Sequence, residues 1–247
     1  MDAAYPDDQT AAVREAFRAE CARLDAVLAT LTTTDLARPT PCPPWLVRDL
    51  LAHVRTGAGR LADMIDAVAP PRAEVDAAGY FGPAKFTPQV DAARVESARR
   101  AARDPAAPTG SVEAVATAAA FTVAWRATDA AVQAQPADRV VQTRHGDPMT
   151  VHEFLVTRVV EVGVHGLDLA VALHREPWLT PAAAQVIADL FTGGRPVPEG
   201  LGWDRLTLVR KTTGRAPLTA GEQQTIAAHS WPPLSLASQG GSPRRTP

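Results

Sequence analysis

The sequence predicts a mostly α-helical protein: a four-helix bundle carrying a small α+β appendage at its C-terminal end. Three observations predict it. Four long stretches repeat apolar residues at helical spacing, which forces one stripe of each onto a common core. Capping residues, prolines and glycines mark where those stretches begin and stop. After Gly193-Gly194 the chain changes character, and short segments replace long ones. The expected organisation is a helical bundle over 1–195, a small α+β region over 196–237 and a disordered tail over 238–247. With 247 residues, 46% of them hydrophobic, the chain can build one sizeable core with an appendage.

The first helix covers 8–31, where Val13, Phe17, Cys21, Leu24, Leu28 and Leu31 keep the period and leave Arg and Glu outside. Cys21, on that stripe, reads as a packed free thiol. Thr32–Thr34 and Arg38–Pro44 read as loop, because Pro39, Pro41, Pro43 and Pro44 cannot sit inside a helix. Cys42 falls in this turn, where it could be exposed and has no basic neighbour in sequence to activate it. Trp45 closes the loop and should pack on the bundle.

The second helix covers 46–68, with Val47, Leu50, Leu51, Val54, Leu61, Met64 and Ile65 on its apolar face. His53 sits at the edge of that face and, taken alone, reads as a boundary residue rather than a ligand. Pro70–Pro88 has no periodicity and reads as a crossover or lid. An arginine-studded helix over 90–103 should be solvated on one face. The third long helix, 112–134, is alanine-rich, with Val115, Phe121, Val123, Trp125 and Val132 as its bulky positions. Arg139–Met149 reads as an irregular connection with a His145-Gly146-Asp147 turn, and a loop histidine near a site can carry function.

The fourth long helix, 150–173, opens with a capping box, Thr150-x-x-Glu153. Leu155, Val162, Leu169 and Leu173 recur at helical spacing, and beside them stand Arg158, Glu161, His165 and Asp168, each three or four residues from the next. That chemistry does not suit an apolar seam. Burying such groups costs several kcal/mol unless they pair or bind a cation. Glu161 and His165, at i and i+4, project side by side and could grip one metal ion, or form an ordinary surface pair. A third ligand would have to come from elsewhere. His152 lies nearly opposite Glu161 and should face solvent, while His174 and His229 sit near helix C-termini, where they complement the dipole.

Beyond this helix, Thr180-Pro181 starts another that Gly193-Gly194 stops. Arg205–Thr212 reads as a short strand with Leu206 and Leu208 on one face. Thr219-x-x-Glu222 starts a last short helix, sealed by Trp231-Pro-Pro-Leu.

Composition narrows the function classes. A net charge of −2 without any basic run argues against nucleic acid and membrane surfaces as partners. The N-terminus lacks the apolar core of a signal peptide, and the longest uncharged, mostly apolar run, Ala114–Trp125, is too short for a bilayer. The expectation is a cytoplasmic monomer or homodimer. Two cysteines are too few for a disulfide framework or a thiolate zinc site. Abundant arginine and alanine, with lysine only at Lys85 and Lys211, suggest a GC-rich genome.

Two runs resemble a known family. Pro39-Thr-Pro-Cys-Pro-Pro-Trp-Leu-Val-Arg-Asp-Leu-Leu-Ala-His53 resembles the first signature of the mycothiol-dependent maleylpyruvate isomerases, which are DinB-like four-helix bundles. Arg158-x-x-Glu161-x-x-x-His165-Gly-x-Asp168-Leu-Ala resembles the second, and Thr213-Gly214-Arg215-x-Pro-Leu-Thr resembles a C-terminal segment of many members. Pro70–Gly110 lies outside the resemblance. It implies that His53, Glu161 and His165 bind a divalent metal, most often zinc, and two imidazoles with one carboxylate leave coordination positions open for catalysis. Arg158 and Asp168 would orient the ligands and balance charge, or else form a salt bridge. Arg215 would reach back towards the metal to bind an anionic group.

The resemblance further implies mycothiol as a thiol cosubstrate, activated at the metal for attack on a small electrophile. The outcome would be S-transfer or thiol-dependent cis–trans isomerisation. Two departures stand out: Leu46 replaces the threonine that commonly caps the second helix, and the C-terminal region is short, which would leave the cleft more open. The alternatives are a zinc-dependent hydrolase using metal-bound water and a non-enzymatic stress protein that binds a small molecule or metal.

Overall fold

The computed structural model describes residues 5–82, 86–103, 110–232 and 234–236. The tail expected over 238–247 lies outside them. In chain order the elements are α1 (Asp7–Leu28), α2 (Thr33–Leu36), α3 (Val47–Ile65), α4 (Ala77–Tyr80), α5 (Pro88–Ala102), α6 (Glu113–Gln133), β1 (Val140–Gln142), β2 (Pro148–Thr150), α7 (Val151–Ala172), α8 (Pro181–Thr192), α9 (Arg205–Thr212) and α10 (Ala220–His229). The four long helices α1, α3, α6 and α7 form the bundle: α3 packs on α6 and α7, and α1 packs on the same two from the other side. No helix among the described residues is long and apolar enough to cross a membrane.

Small residues set the helix spacing. A Cβ on Gly59 of α3 would stand 3.0 Å from Cβ of Ala124 on α6, so the two backbones approach as only glycine and alanine allow. On α6, Phe121, Trp125 and Val132 enter the core, whereas Val115 and Val123 stay exposed. Helix α7 is the axis of the molecule, with 18 of its 22 residues buried. α1, α3, α4 and α8 all pack on it. This surround corrects the expectation for His152. Its side of α7 is covered, and the ring is buried and stacked on Tyr5 with centroids 4.0 Å apart.

Three local expectations are revised. The connection before α7 is an antiparallel hairpin, with Val140 opposite Thr150 and Gln142 opposite Pro148. Its turn is closed by Thr143 N–H donating to the Asp147 carbonyl at 2.9 Å. At the start of α7 only half of the capping box forms. Thr150 accepts from Glu153 N–H, but the Glu153 carboxylate turns away to accept from Ala77 N–H (2.8 Å) and so anchors α4. Arg205–Thr212 is a helix, not a strand. The run Leu206-Thr-Leu-Val fits either period, and tertiary packing decides: Asp204 caps the helix by accepting from Thr207 N–H at 2.7 Å, while Leu208, Val209 and Thr212 turn one helical face inwards onto α8. The C-terminal region is therefore helical among the described residues, and the small sheet lies before α7.

Candidate metal centre

His53 and the α7 pair meet because α3 and α7 are neighbours in the bundle. Gly57 lets them close up: a Cβ there would lie 3.0 Å from Arg158 Nη1 and 3.2 Å from Glu161 Cγ. The start of α3 shows the effect of Leu46. Its N–H donates to Asp49 Oδ2 at 3.0 Å, but a leucine side chain cannot return the bond. The helix nevertheless holds its register, with Val47, Leu50 and Leu51 buried, and His53 points to α7.

Three ligand atoms converge. His53 Nε2 lies 2.6 Å from Glu161 Oε1, and His165 Nε2 lies 3.8 Å from the same oxygen. One donor atom from each residue falls within 4.8 Å of the others. Their side chains keep 16%, 15% and 16% exposure, so a ligand can reach them from the cavity they border. Although Glu161 Oε1 is buried and close to both rings, it has no hydrogen bond of acceptable geometry. A buried carboxylate oxygen left so is costly, and a cation between the three donors relieves it. Two imidazole nitrogens and a carboxylate are a donor set that suits zinc. The residues fit a divalent metal.

Behind His165 the network is fully paired. Its Nδ1 lies 2.9 Å from Asp168 Oδ2, which fixes the ring with Nε2 turned towards Glu161. Arg215 holds Asp168 in a fork, Nε donating to Oδ1 at 3.0 Å and Nη2 to Oδ2 at 2.7 Å. The Cys42 thiol donates to the same Oδ2 at 3.2 Å. Cys42 is half-buried, not free on the surface, and it stands beside Asp168 and Arg215 after the chain folds. Trp45 packs on the His53 ring at 4.7 Å.

Electrostatics follow the geometry. Burial pushes the His53 ring below its ordinary value and outweighs the pull of Glu161. Burial alone would raise the Glu161 carboxyl, but the charges of His53, His165 and Arg158 hold it well below the carboxylate range. For His165 burial is again opposed: hydrogen bonds to Asp168 and Cys42, with the charge of Glu161, push the ring up to about 10. Asp168 overcomes its burial through His165 and Arg215, and stays ionised well below the usual range.

The six residues expected at the site have distinct places. His53, Glu161 and His165 meet at one point; Asp168 backs His165; and Arg215 reaches Asp168 from the loop after α9. Arg158 contacts Gly57, Thr157 and Tyr80 rather than a carboxylate. Cys42, Tyr80, Arg60 and Arg144 also line the cavity of about 450 Å³. No sequence spacing points to them, because they come from separate loops and helices.

Residues 17–170 match the family described as the mycothiol maleylpyruvate isomerase N-terminal domain. A crystal structure of the mycothiol-dependent maleylpyruvate isomerase is similar over 84% of this chain and 90% of that one, with a TM-score of 0.57 and 16% sequence identity. At that identity the likeness speaks for the fold. No curated protein matches the sequence. The family match takes in Cys42, His53, Glu161, His165 and Asp168, and ends before Arg215.

Proposed function

Because the chain belongs to the mycothiol maleylpyruvate isomerase N-terminal domain family, we propose that it is a metal-dependent enzyme that activates mycothiol for attack on a small electrophile. One observation carries this reading: His53 from α3 meets Glu161 and His165 from α7 at the wall of one cavity, around a buried carboxylate oxygen that both rings approach without a well-formed hydrogen bond. These three residues would hold the cation, zinc by their chemistry. A cation there supplies the positive charge that ionises a thiol at neutral pH, where a free thiol is only a few per cent thiolate.

The chain's own residues prepare that site. Asp168 fixes the ring orientation of His165 by taking its Nδ1–H, and Arg215 balances the Asp168 charge so that it stays an acceptor. Trp45 covers one face of His53 and keeps water from that side. The cavity of about 450 Å³ is of a size common for small-molecule sites. If the sulfur adduct persists, the reaction is S-transfer. If the thiol adds to a cis double bond and leaves after rotation, it is isomerisation.

The test is metal analysis of the purified protein, followed by turnover of a panel of electrophiles with and without mycothiol. Turnover should need both metal and thiol, and mycothiol should outperform simple thiols because its sugars supply further binding energy. Metal-dependent turnover indifferent to every thiol would make the protein a hydrolase. Tight binding of an electrophile without turnover would make it a binding protein.

A further inference from the structure

A second set of donors stands back to back with the candidate centre, and His165 belongs to both. Its Nε2 faces Glu161, while its Nδ1 lies 2.9 Å from Asp168 Oδ2. The Cys42 sulfur lies 3.2 Å from that same oxygen. One donor atom each from Cys42, His165 and Asp168 falls within 4.8 Å of the other two, the limit that His53, Glu161 and His165 also meet. The proposed reaction leaves Cys42 without a task. Yet the loop that carries it is pinned: Cys42 N–H donates to Thr40 Oγ1 at 3.2 Å, the Cys42 carbonyl accepts from Trp45 N–H at 3.0 Å, and Thr40 N–H donates to the Trp45 carbonyl at 3.1 Å. Cys42, His165 and Arg215 all line the cavity, so a small cation can arrive from there. Cys21, by contrast, is fully buried on α1.

We propose that Cys42 Sγ, His165 Nδ1 and Asp168 Oδ2 form a second cation seat, for a thiophilic divalent ion, with the His165 ring as the bridge to the first. One cysteine cannot make an all-thiolate zinc site, but sulfur, imidazole nitrogen and carboxylate oxygen are all zinc donors, and three of them leave a position open. Softness sets the choice of ion: a thiolate donor favours zinc and its heavier congeners over magnesium or calcium. The thiol proton, and any proton that His165 keeps on Nδ1, goes to water as the cation takes their place. Arg215 is the obvious opponent, since its Nη2 donates to Asp168 Oδ2 at 2.7 Å and its Nε to Oδ1 at 3.0 Å. A carboxylate oxygen accepts on two sides, however, and Arg215 occupies one of them. Thiolate and carboxylate together also offset the charge of a divalent ion, so the guanidinium beside them costs less than it would next to neutral ligands. Donors held in place before the ion arrives lose little freedom on binding it. The seat goes beyond the thiol reaction and does not depend on it.

The experiment is titration of the zinc-loaded full chain with cadmium, whose thiolate complexes absorb in the ultraviolet above the peptide band. The wild type should develop that absorption and saturate at about one equivalent per chain. Cys42→Ser should lose the absorption and bind the second ion more than about a hundredfold more weakly, while the first zinc and the helicity stay as they were. Cys21→Ser should behave as wild type. His53→Ala should lose the first ion and keep the cadmium–thiolate absorption. No absorption in the wild type, absorption that persists in Cys42→Ser, or a signal that never saturates would overturn the proposal. So would loss of the absorption in His53→Ala, because Cys42 would then be a ligand of the first centre and not of a second. Cadmium–thiolate absorption in a protein without thiol-dependent turnover would leave the seat standing and remove the proposed reaction. Thiol-dependent turnover without the absorption would do the reverse.

Discussion

Glu20, on α1 against α7, and Glu161, on α7 itself, are both carboxylates desolvated by the bundle, and they sit in opposite electrostatic states. Glu20 faces α7 from α1, fully buried, and accepts from Thr180 N–H at 2.8 Å and Thr180 Oγ1–H at 2.7 Å. Its other oxygen has no hydrogen-bond partner among the described residues. Burial raises its pKa, and neither the Thr180 bonds nor Arg23 makes up for it. Glu161 starts from the same penalty, but two imidazoles and a guanidinium reverse it. Burial therefore does not identify a functional carboxylate. Glu20 latches the N-terminus of α8 to α1, whereas Glu161 is surrounded by groups that stabilise its negative form and, in the proposed role, would share it with a cation.

The contrast can be broken by experiment, and the largest effect should come from the metal corner. Glu161→Gln should weaken zinc binding by more than about a hundredfold, beyond the usual effect of losing a group that only orients a ligand, with helicity retained. Competition with a chelator measures it; unchanged affinity would put Glu161 on a level with Glu20. Next comes Asp168→Asn, which leaves the ligands in place but releases His165. Zinc affinity should fall by about ten- to a hundredfold.

Glu20→Gln should leave zinc binding untouched and change the pH dependence of folding instead. Since the folded pKa of Glu20 lies above the ordinary 4.5, its ionised form burdens the fold at neutral pH. As pH falls through the folded value towards 4.5 the burden lifts, so wild type should gain stability relative to the variant over that window. Denaturant melts at several pH values give the difference, and parallel curves would refute the assignment. The smallest effect is a control that touches neither carboxylate. Leu46→Thr supplies the missing half of the cap on α3 and should stabilise the protein by about 1 kcal/mol, with zinc affinity unchanged. A change in zinc affinity would show that the start of α3 sets the position of His53.

The long helices were legible because their apolar stripes repeat over many turns, and α1, α3, α6 and α7 begin and end within a few residues of where periodicity puts them. Glu161 and His165 were legible as a local pair. His53 was not: on its own helix it is one boundary histidine, and only the resemblance of its flanking motif joined it to α7. Cys42, Tyr80, Arg60 and Arg144 escaped because cavity walls are assembled from remote segments without a shared period. Arg205–Thr212 misled because a short apolar alternation satisfies strand and helix alike. His152 misled for another reason: helical opposition to a core face means solvent only when the far side of the helix is bare, and α7 is packed nearly all round.

The close approach at Gly57 has a thermal consequence. All three proposed ligands ride on α3 and α7, and the gap between those helices is set by backbone and side-chain contact rather than by a loop. Loops loosen at temperatures where a bundle is still intact, since local opening costs less than global unfolding. A site carried wholly by two packed helices has no such early stage. On heating, zinc release should track the cooperative loss of helix in a single transition, and the protein should keep its metal up to the edge of its own melting.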